Sequence, residues 1–572
     1  MKNLKIILGL GLVLSFINLC MSMPENQADK IYINGVIHTV NGKNEIVNAL
    51  AIKNEKFLAL GDNDAVLTFK GPDTEIIDLK GKMVMPGIID AHIHPDCDAD
   101  NRVNISFKHN ANWEKISNTI IEFSKKNPSQ EWMIGGTLGW LQDDSGLIPD
   151  LNQPSHKSIL DKIESQKAIA LYDIGYHAML LNSKALEMLG INKDTPNPEG
   201  GMIIKDQHGE PTGVLRETAI NILLEKAEID RGDNWIFNGL KPFMSELSSM
   251  GVTSIADAYT RSWTAEGYFE LDQNNDLHCN VFGFMASPID LGKEDAKIEQ
   301  NAFIKFREYY ECDKIRMNGI KYIMDGSAAG QTACMTEPFK GTSHCGHFRN
   351  PAKDVEKDIE KRDKENIVVK GHAIGDRSVR VLLDAIEKVR NDNPDGPRHS
   401  IAHCTFANPK DLHRFAKLDV VYEASPALWF PNPGCNVIEN DIGKERLSWA
   451  WAIKQVDELG GTVCYGSDWP VSPTPNPWYA LETMITREKP GGSKESLNPE
   501  YAVDLETALR IFTINGAYSI HMDDNTGSIE IGKYADMIVL DRNLFKTPVR
   551  EIHKTNVLET IYRGNSVYQL KQ

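Results

Sequence analysis

Eight short apolar segments with the character of β-strands recur along the middle of this 572-residue chain, separated by stretches with helical character. In chain order, the segments are 85–93, 251–257, 278–285, 316–324, 367–373, 399–404, 419–425 and 462–468. Alternation of strands and helices predicts a mainly parallel sheet, and eight parallel strands predict a closed (β/α)8 TIM barrel. We therefore expect an α/β fold whose active site lies at the carboxyl ends of the barrel strands.

Both ends of the chain contain short strand patterns separated by turn residues. They predict one small β-sandwich domain built from residues 29–84 and 525–572, with the barrel occupying 85–524. The interval between the first two barrel strands is too long for one crossover connection. We therefore predict that residues 96–250 form an inserted lid or substrate-binding subdomain.

Residues 1–22 have the layout of a signal peptide, because Lys2 and Lys5 precede an apolar stretch from 6 to 19. This layout predicts an exported protein, either periplasmic or associated with the outer membrane. An uncleaved N-terminal anchor is the alternative. Cys20 leaves open a lipid anchor after cleavage, and hence a lipoprotein. The rest of the chain has no apolar run long enough to predict a membrane span.

The formal net charge of −18 argues against a nucleic-acid partner, because phosphate binding needs a clustered cationic surface. We expect a small-molecule substrate as the partner. The sequence leaves a homodimer open.

Side chains suited to binding a metal follow several of the predicted strands. His92 and His94 are two residues apart at the end of the first strand, so their imidazoles point the same way. Four further groups of this kind occur at the ends of later strands: Lys321, His372, His403 and Asp468. A buried histidine often only satisfies a hydrogen bond, and a strand-end aspartate often caps a helix. Their recurrence at the strand ends of one barrel predicts a site for a divalent metal.

These motifs resemble the amidohydrolase superfamily along the whole chain after the signal segment. They look most like the branch of N-substituted formamide deformylases and exoenzyme-type amidohydrolases, which is amidohydrolase family 3. Further segments that carry the resemblance are Tyr176-His177-Ala178, 182–186, 211–217 and 527–536.

The resemblance implies a centre of two zinc ions, whose ligands would be His92, His94, Lys321, His372, His403 and Asp468. His92 and His94 would bind one ion with Asp468, and the other two histidines would bind the second. Lys321 would bridge the ions as a carbamate, because an N-carboxylated lysine is an anionic ligand whereas an ammonium repels a cation. The alternative is that Lys321 pairs with an acid such as Asp325 and that the site is mononuclear.

The resemblance also implies the chemistry. A metal lowers the pKa of water and so supplies hydroxide at working pH. Asp468 would act as general base towards this water and then as general acid towards the leaving nitrogen, while His372 would help to polarise the carbonyl. His177, Glu217 and Trp469 are the candidate substrate contacts, with a structural role as the alternative for His177.

We expect a hydrolase that cleaves C–N bonds of N-formyl, N-acyl or cyclic amides. One alternative is an esterase, lactonase or phosphotriesterase, because the same hydroxide serves these bonds. Another is a non-catalytic exported binding protein on a decayed scaffold. Decay should have removed a ligand or the base, whereas all six positions are filled.

Overall fold

A computed structural model describes residues 27–107, 111–138, 157–173, 175–227, 231–291 and 294–571. The predicted signal peptide lies outside these residues, so export and lipid attachment stay predictions. Within the described ranges, no helix combines the length and apolar character needed to cross a membrane.

Eight parallel strands form the central sheet, and each pairs with its neighbour in chain order. Their bounds are Ile88–Ile93, Val252–Thr260, Asn280–Ala286, Ile315–Ile323, Val368–Ala373, Ser400–His403, Val421–Ala424 and Val463–Tyr465. Each overlaps one of the eight predicted segments. The predicted α/β fold with a (β/α)8 barrel is thus confirmed, and the strands are numbered one to eight below.

The barrel closes where the first strand meets the segment after the eighth. The backbone N–H of Asp468 donates to the carbonyl of His92 at 2.8 Å, and the N–H of His94 donates to the carbonyl of Trp469 at 2.9 Å. A Cβ atom on Gly466 would lie 2.4 Å from the Cβ of His92. Only a glycine allows this close approach, so the seam brings three of the predicted ligands together.

A smaller β-sandwich contains strands from both chain ends, as predicted. One sheet has, in spatial order, Lys56–Gly61, Ala49–Lys53, Lys30–Ile33 and Glu75–Asp78. The other has Asn565–Gln569, Val557–Tyr562, Met537–Leu540, Met83–Pro86, Val36–His38 and Ile46–Val47. Leu50 and Ile52 of the first sheet are buried in the same apolar cluster as Val84 and Val539 of the second.

The predicted first barrel strand, 85–93, is divided into two. Met83–Pro86 pairs antiparallel with Met537–Leu540 in the sandwich, whereas Ile88–Ile93 enters the barrel. Gly87 lies at the break, where an added Cβ would come within 2.1 Å of the Thr253 hydroxyl oxygen. An unbroken apolar run hides this change of sheet, because burial in either sheet selects the same residue types.

Between the first two barrel strands lies a separate five-stranded sheet. Its strands, in spatial order, are Gly201–Lys205, Pro211–Glu217, Ala178–Leu181, Ala168–Asp173 and Trp132–Leu138. Residues 175–177 precede one of these strands and reach the mouth of the barrel, where they line the cavity described below.

Helices cover the sheets, and the longest of them, Asp376–Asp392, buries an apolar face of Val379, Leu382, Ile386 and Val389 at helical spacing. Asn63–Leu67 packs on the sandwich. In the inserted region and around the first strand, the helices are Pro95–Val103, Trp113–Lys126, Lys157–Asp161, Ser183–Leu189, Asn221–Lys226 and Trp235–Ser249. The later helices are Ser262–Gln273, Glu294–Lys305, Ala352–Lys364, His413–Lys417, Pro433–Ile442, Lys444–Leu447, Ile453–Glu458, Pro477–Thr486, Leu505–Phe512 and Ile514–Ser519.

We expect Gly87→Ala to lower the free energy of unfolding by about 1–3 kcal/mol, because the new methyl group overlaps the Thr253 side chain. Gly42→Ala is the matched control, since nothing lies within 4 Å of its added Cβ. Thermal unfolding of both variants measures the difference. Equal Tm values would show that the junction between barrel and sandwich tolerates the methyl group.

Candidate metal centre

Six side chains that the sequence singled out line one cavity of about 680 Å³ at the carboxyl ends of the barrel strands. They are His92, His94, Lys321, His372, His403 and Asp468. The first, fourth, fifth and sixth strands and the segment after the eighth supply them. The barrel therefore brings together residues that are up to 376 positions apart, from His92 to Asp468.

Asp468 lies between three imidazoles. Its Oδ1 is 3.5 Å from Nε2 of His92 and 3.4 Å from Nε2 of His94, and its Oδ2 is 3.9 Å from Nδ1 of His403. One donor atom each of His92, His403 and Asp468 lie within 4.8 Å of one another. Donors that each bind one zinc ion at about 2 Å are separated by distances of this order.

His372 extends the cluster away from Asp468. Its ring centroid lies 4.7 Å from that of His403 and 5.4 Å from that of His177. Nδ1 of His372 faces Oδ1 of Asp325 at 3.4 Å without forming a hydrogen bond to it. The imidazoles therefore form a continuous row along the floor of the cavity.

Lys321 is buried beside His92, with 3.3 Å between its Nζ and Nε2 of the imidazole. Burial is the main cause that lowers the pKa of Lys321 to about 7, although Glu423 opposes the shift. A neutral amine is therefore accessible near neutral pH.

Asp325 is not the partner of Lys321 that the alternative sequence interpretation required. Its carboxylate accepts hydrogen bonds from the backbone N–H groups of Cys334, Ile374 and Gly375 at 2.9–3.0 Å. These contacts anchor the loops that follow the fourth and fifth strands.

A buried ion pair behind His92 was missed by the sequence analysis. Nδ1 of His92 contacts Oε1 of Glu423, and Nζ of Lys370 lies 2.5 Å from Oε2 of the same carboxylate. Lys370 also donates to the carbonyl of Ala91. Glu423 thereby orients His92 with Nε2 towards Lys321 and Asp468, as carboxylates behind metal-binding histidines commonly do. Lys370 is two residues before His372, so strand alternation could have placed it on the inner face.

The imidazoles have their lone pairs available. Burial lowers the pKa of His92 and of His403 well below 6.5, and neighbouring Lys321 adds to the effect at both. At neutral pH both rings are therefore uncharged, which is the form that binds metal. Neutral imidazoles around a carboxylate are a donor set that suits zinc and similar divalent ions.

His177 is the one predicted substrate contact that lies on the cavity wall. Its Nδ1 donates to Oε2 of Glu217 at 3.0 Å, and the hydroxyl of Thr332 donates to Oε1 at 2.8 Å. Glu217 is therefore behind the wall, where it positions His177. The backbone of Glu217 has a φ of 53°, a value that residues other than glycine rarely adopt. The fold therefore holds this carboxylate in place at some cost in backbone strain.

Trp469 also lies away from the cavity, which corrects its predicted role. Its indole Nε1 donates to Oδ1 of Asp98 at 2.7 Å, and its ring packs against the apolar core of the barrel. The wall at this point consists of Asp468, Pro470 and Val471. The chain turns at the end of the strand, so Trp469 faces the side opposite to Asp468.

Comparisons with known proteins agree with this arrangement. The Amidohydrolase family matches residues 75–568 of the chain. N-substituted formamide deformylase of Arthrobacter pascens is 27% identical over 557 residues, covering 95% of this chain and 98% of the relative. The exoenzymes regulatory protein AepA of Pectobacterium carotovorum subsp. carotovorum is 27% identical over 448 residues, covering 76% and 93%.

Among solved structures, an uncharacterized metal-dependent hydrolase from Pyrococcus furiosus aligns with a TM-score of 0.66 and 25% identity, over 90% of this chain and all of that one. Its counterpart from Pyrococcus horikoshii has a TM-score of 0.70 at 23% identity, over 91% and 99%. Together with the barrel and its donor cluster, the family match defines an amidohydrolase, which is a hydrolase that acts on carbon–nitrogen bonds. The chain belongs to the amidohydrolase family, and the predicted resemblance is confirmed.

The ion pair between His177 and Glu217 gives a pH-dependent prediction. Burial alone would lower the pKa of His177, but Glu217 outweighs it and raises the pKa to about 9 from a usual 6.5. Burial would likewise raise the pKa of Glu217, but His177 outweighs it and lowers the pKa to about 2 from a usual 4.5. The pair therefore stabilises the fold fully between pH 4.5 and 6.5. Its contribution is lost as the pH rises towards 9 or falls towards 2.

We expect Glu217→Gln to cost about 2 kcal/mol of stability near pH 5.5, and clearly less near pH 9.5. Tm measured at both pH values for the metal-free protein tests this, with the exposed Glu495→Gln as control. A loss of Tm that is the same at both pH values would contradict a charged pair.

Proposed function

We propose that this protein hydrolyses the C–N bond of N-formyl, N-acyl or cyclic amides at a centre of two zinc ions. The observation that carries the proposal is the meeting of four imidazoles, one carboxylate and one buried lysine on the floor of a single cavity. His92, His94 and Asp468 would hold one ion and His372 and His403 the other. The metal-dependent hydrolase from P. furiosus, which shares the fold, supports the choice of a divalent metal.

Divalent metal bound by these residues would supply a nucleophile from water at neutral pH and polarise the carbonyl of the substrate. The remaining chemistry belongs to the chain itself. Glu423 holds His92 in one orientation, and Asp325 faces His372 from behind. The ligands are thus set in position before any substrate arrives, which is what an efficient catalytic site requires.

Asp468 is the group suited to move the proton. Burial alone would raise its pKa, but His403, His94 and Lys321 outweigh burial and keep the pKa below 3.8. The carboxylate is therefore ionised at neutral pH and can accept a proton from water. Once protonated in this buried site, it can pass the proton to the leaving nitrogen. The nitrogen then departs as a neutral amine, because departure as an unprotonated anion would be unfavourable.

Lys321 would join the two ions as a carbamate. Its nitrogen attacks carbon dioxide, a new N–C bond forms, and the nitrogen loses a proton, which converts a cationic side chain into an anionic ligand. The reaction needs the neutral amine, which the low pKa of Lys321 makes accessible. Uncharged histidines and an uncarboxylated ammonium would leave the cluster with too little negative charge for two ions.

We expect Asp468→Asn to lower kcat about 10²- to 10⁴-fold, because the variant keeps the size of the side chain but cannot accept the proton. Turnover is measured on a panel of N-formyl, N-acyl and cyclic amides with zinc-loaded protein. Metal analysis of the same samples shows whether zinc is retained, and wild type should hold about two equivalents.

Asp524→Asn is the control, since this aspartate is exposed and remote in the fold from the cavity wall. Full activity of Asp468→Asn with bound zinc would exclude Asp468 as the base. Turnover of esters, lactones or phosphotriesters in place of every amide would overturn the proposed bond type.

The carbamate gives a separate prediction. Metal-free protein that is loaded with zinc in ¹³C-bicarbonate should show a ¹³C carbamate resonance, and Lys321→Met should not. Lys489→Met, which removes an exposed lysine at the mouth of the cavity, should keep the signal. Absence of the resonance from wild type, together with unchanged zinc content after removal of carbon dioxide, would refute the bridge.

A further inference from the structure

Arg349 is a cationic side chain on the cavity wall for which the mechanism has no use. Its backbone N–H donates to the carbonyl of Met324 at 2.8 Å, just beyond the fourth strand that carries Lys321. Its Nε is buried without a hydrogen-bond partner. Across the described ranges, its guanidinium has no ion pair within 4 Å. A half-buried guanidinium with an unbonded Nε and no ion pair is costly, so its place on the wall calls for an explanation.

The acids that interact electrostatically with Arg349 are Asp290 and Glu217, and both accept hydrogen bonds from other groups. Asp290 accepts from the N–H of Ile323 at 3.1 Å and from the side-chain amide of Asn350 at 2.5 Å. Glu217 accepts from His177 and Thr332, as described above. Both carboxylates feel the charge of Arg349, but neither forms an ion pair with it within 4 Å, so the guanidinium keeps hydrogen-bonding capacity for a ligand in the cavity.

Tyr259 adds a second donor on the same wall. It is the penultimate residue of the second strand, Val252–Thr260, and lines the cavity. Burial raises the pKa of this phenol, so it keeps its proton across the physiological range, even though Arg349 acts in the opposite direction. A guanidinium and a neutral phenol are both hydrogen-bond donors, and an acceptor with negative charge satisfies both.

The other side of the cavity is apolar. Its wall comes from segments after the sixth, seventh and eighth strands, and includes Phe406, Phe430, Ile438, Trp451 and Val471. In a ring of eight strands in sequential order, the second and fourth strands lie opposite the sixth and eighth. The donor cluster occupies the floor between the two walls. A molecule that spans the cavity therefore meets donors at one end, metal ligands at its centre and apolar side chains at the other end.

We propose that Arg349, together with Tyr259, binds a carboxylate of the substrate. The preferred substrates are then amides with a carboxylate on one side of the scissile bond and an apolar group on the other. A planar carboxylate matches the fork of the guanidinium, and the pair forms in a partly desolvated pocket. The proposal rests on the amide hydrolysis proposed for the same site, and it adds the class of amide.

Long-range attraction by the exposed Lys489 at the mouth is the competing source of a preference for anions. Such attraction would act on any anion and would fade with salt, because exposed charges are screened. Direct contact with Arg349 is much less sensitive to salt. The two origins are therefore separable by variants of the two residues.

Paired substrates test the proposal on zinc-loaded protein. Phenylacetylglycine is compared with phenylacetylglycinamide, and N-benzylsuccinamic acid with N-benzylsuccinamide, so that the carboxylate lies on either side of the bond. We expect one acid to exceed its neutral partner in kcat/KM by about 30-fold or more. Arg349→Met should remove most of this ratio, Arg349→Lys should restore part of it, and Lys489→Met should retain it.

The proposal is overturned if wild type prefers the neutral amide in both pairs, or if Arg349→Met keeps the ratio while Lys489→Met loses it. Calorimetric binding to zinc-loaded Asp468→Asn separates this outcome from failure of the proposed hydrolysis. An acid should bind more tightly than its neutral partner, and Asp468→Asn combined with Arg349→Met should lose the difference. Equal binding of acid and amide would refute the carboxylate site. Tight binding of the acid without turnover by wild type would refute only the amide hydrolysis.

Discussion

Closure of the barrel between its first and last strands is the contact on which the site depends. The hydrogen bond from Asp468 N–H to the His92 carbonyl fixes the height at which the two strands meet. A slip by one residue would turn every side chain on one strand to the other face. The carboxylate would then leave the imidazoles, and no rearrangement of side chains alone could restore the cluster. The glycine at 466 is part of the same requirement, because a larger residue would hold the strands apart.

Beneath the seam, the interior carries charges that balance one another only as a set. Glu423 is fully buried between Lys370 and His92, while Lys321 lies on the other side of the imidazole. Removal of one member would leave an uncompensated charge in a medium of low dielectric constant. This arrangement ties the orientation of a metal ligand to the stability of the barrel core. Burial in this interior is also the main reason why the pKa of Lys321 is about 7, with Glu423 acting in the opposite direction.

Much of the fold was predictable because strand periodicity and chain order are local properties. The eight strands, the composite sandwich and the six candidate donors follow from short patterns such as the pair His92 and His94. The orientation of a side chain just beyond a strand is different, since it depends on how the next loop turns, and so Trp469 was misplaced. Arg349 is 25 residues beyond Met324, the residue just after the fourth strand to which its backbone N–H donates. No local pattern marks the return of its loop to the cavity.

The backbone at the site shows what this convergence costs. Both His403 and Asp468 have a positive φ, at 69° and 57°, and Glu217 behind the cavity has 53°. Each such position costs of the order of 1–3 kcal/mol and persists only where the surroundings impose it. A regular strand would continue to alternate its side chains between two faces, whereas a left-handed residue at the strand end redirects the chain. The packing of the barrel supplies the stability that holds these turns. The strained backbone at the site therefore depends on the stability of the strands beneath it.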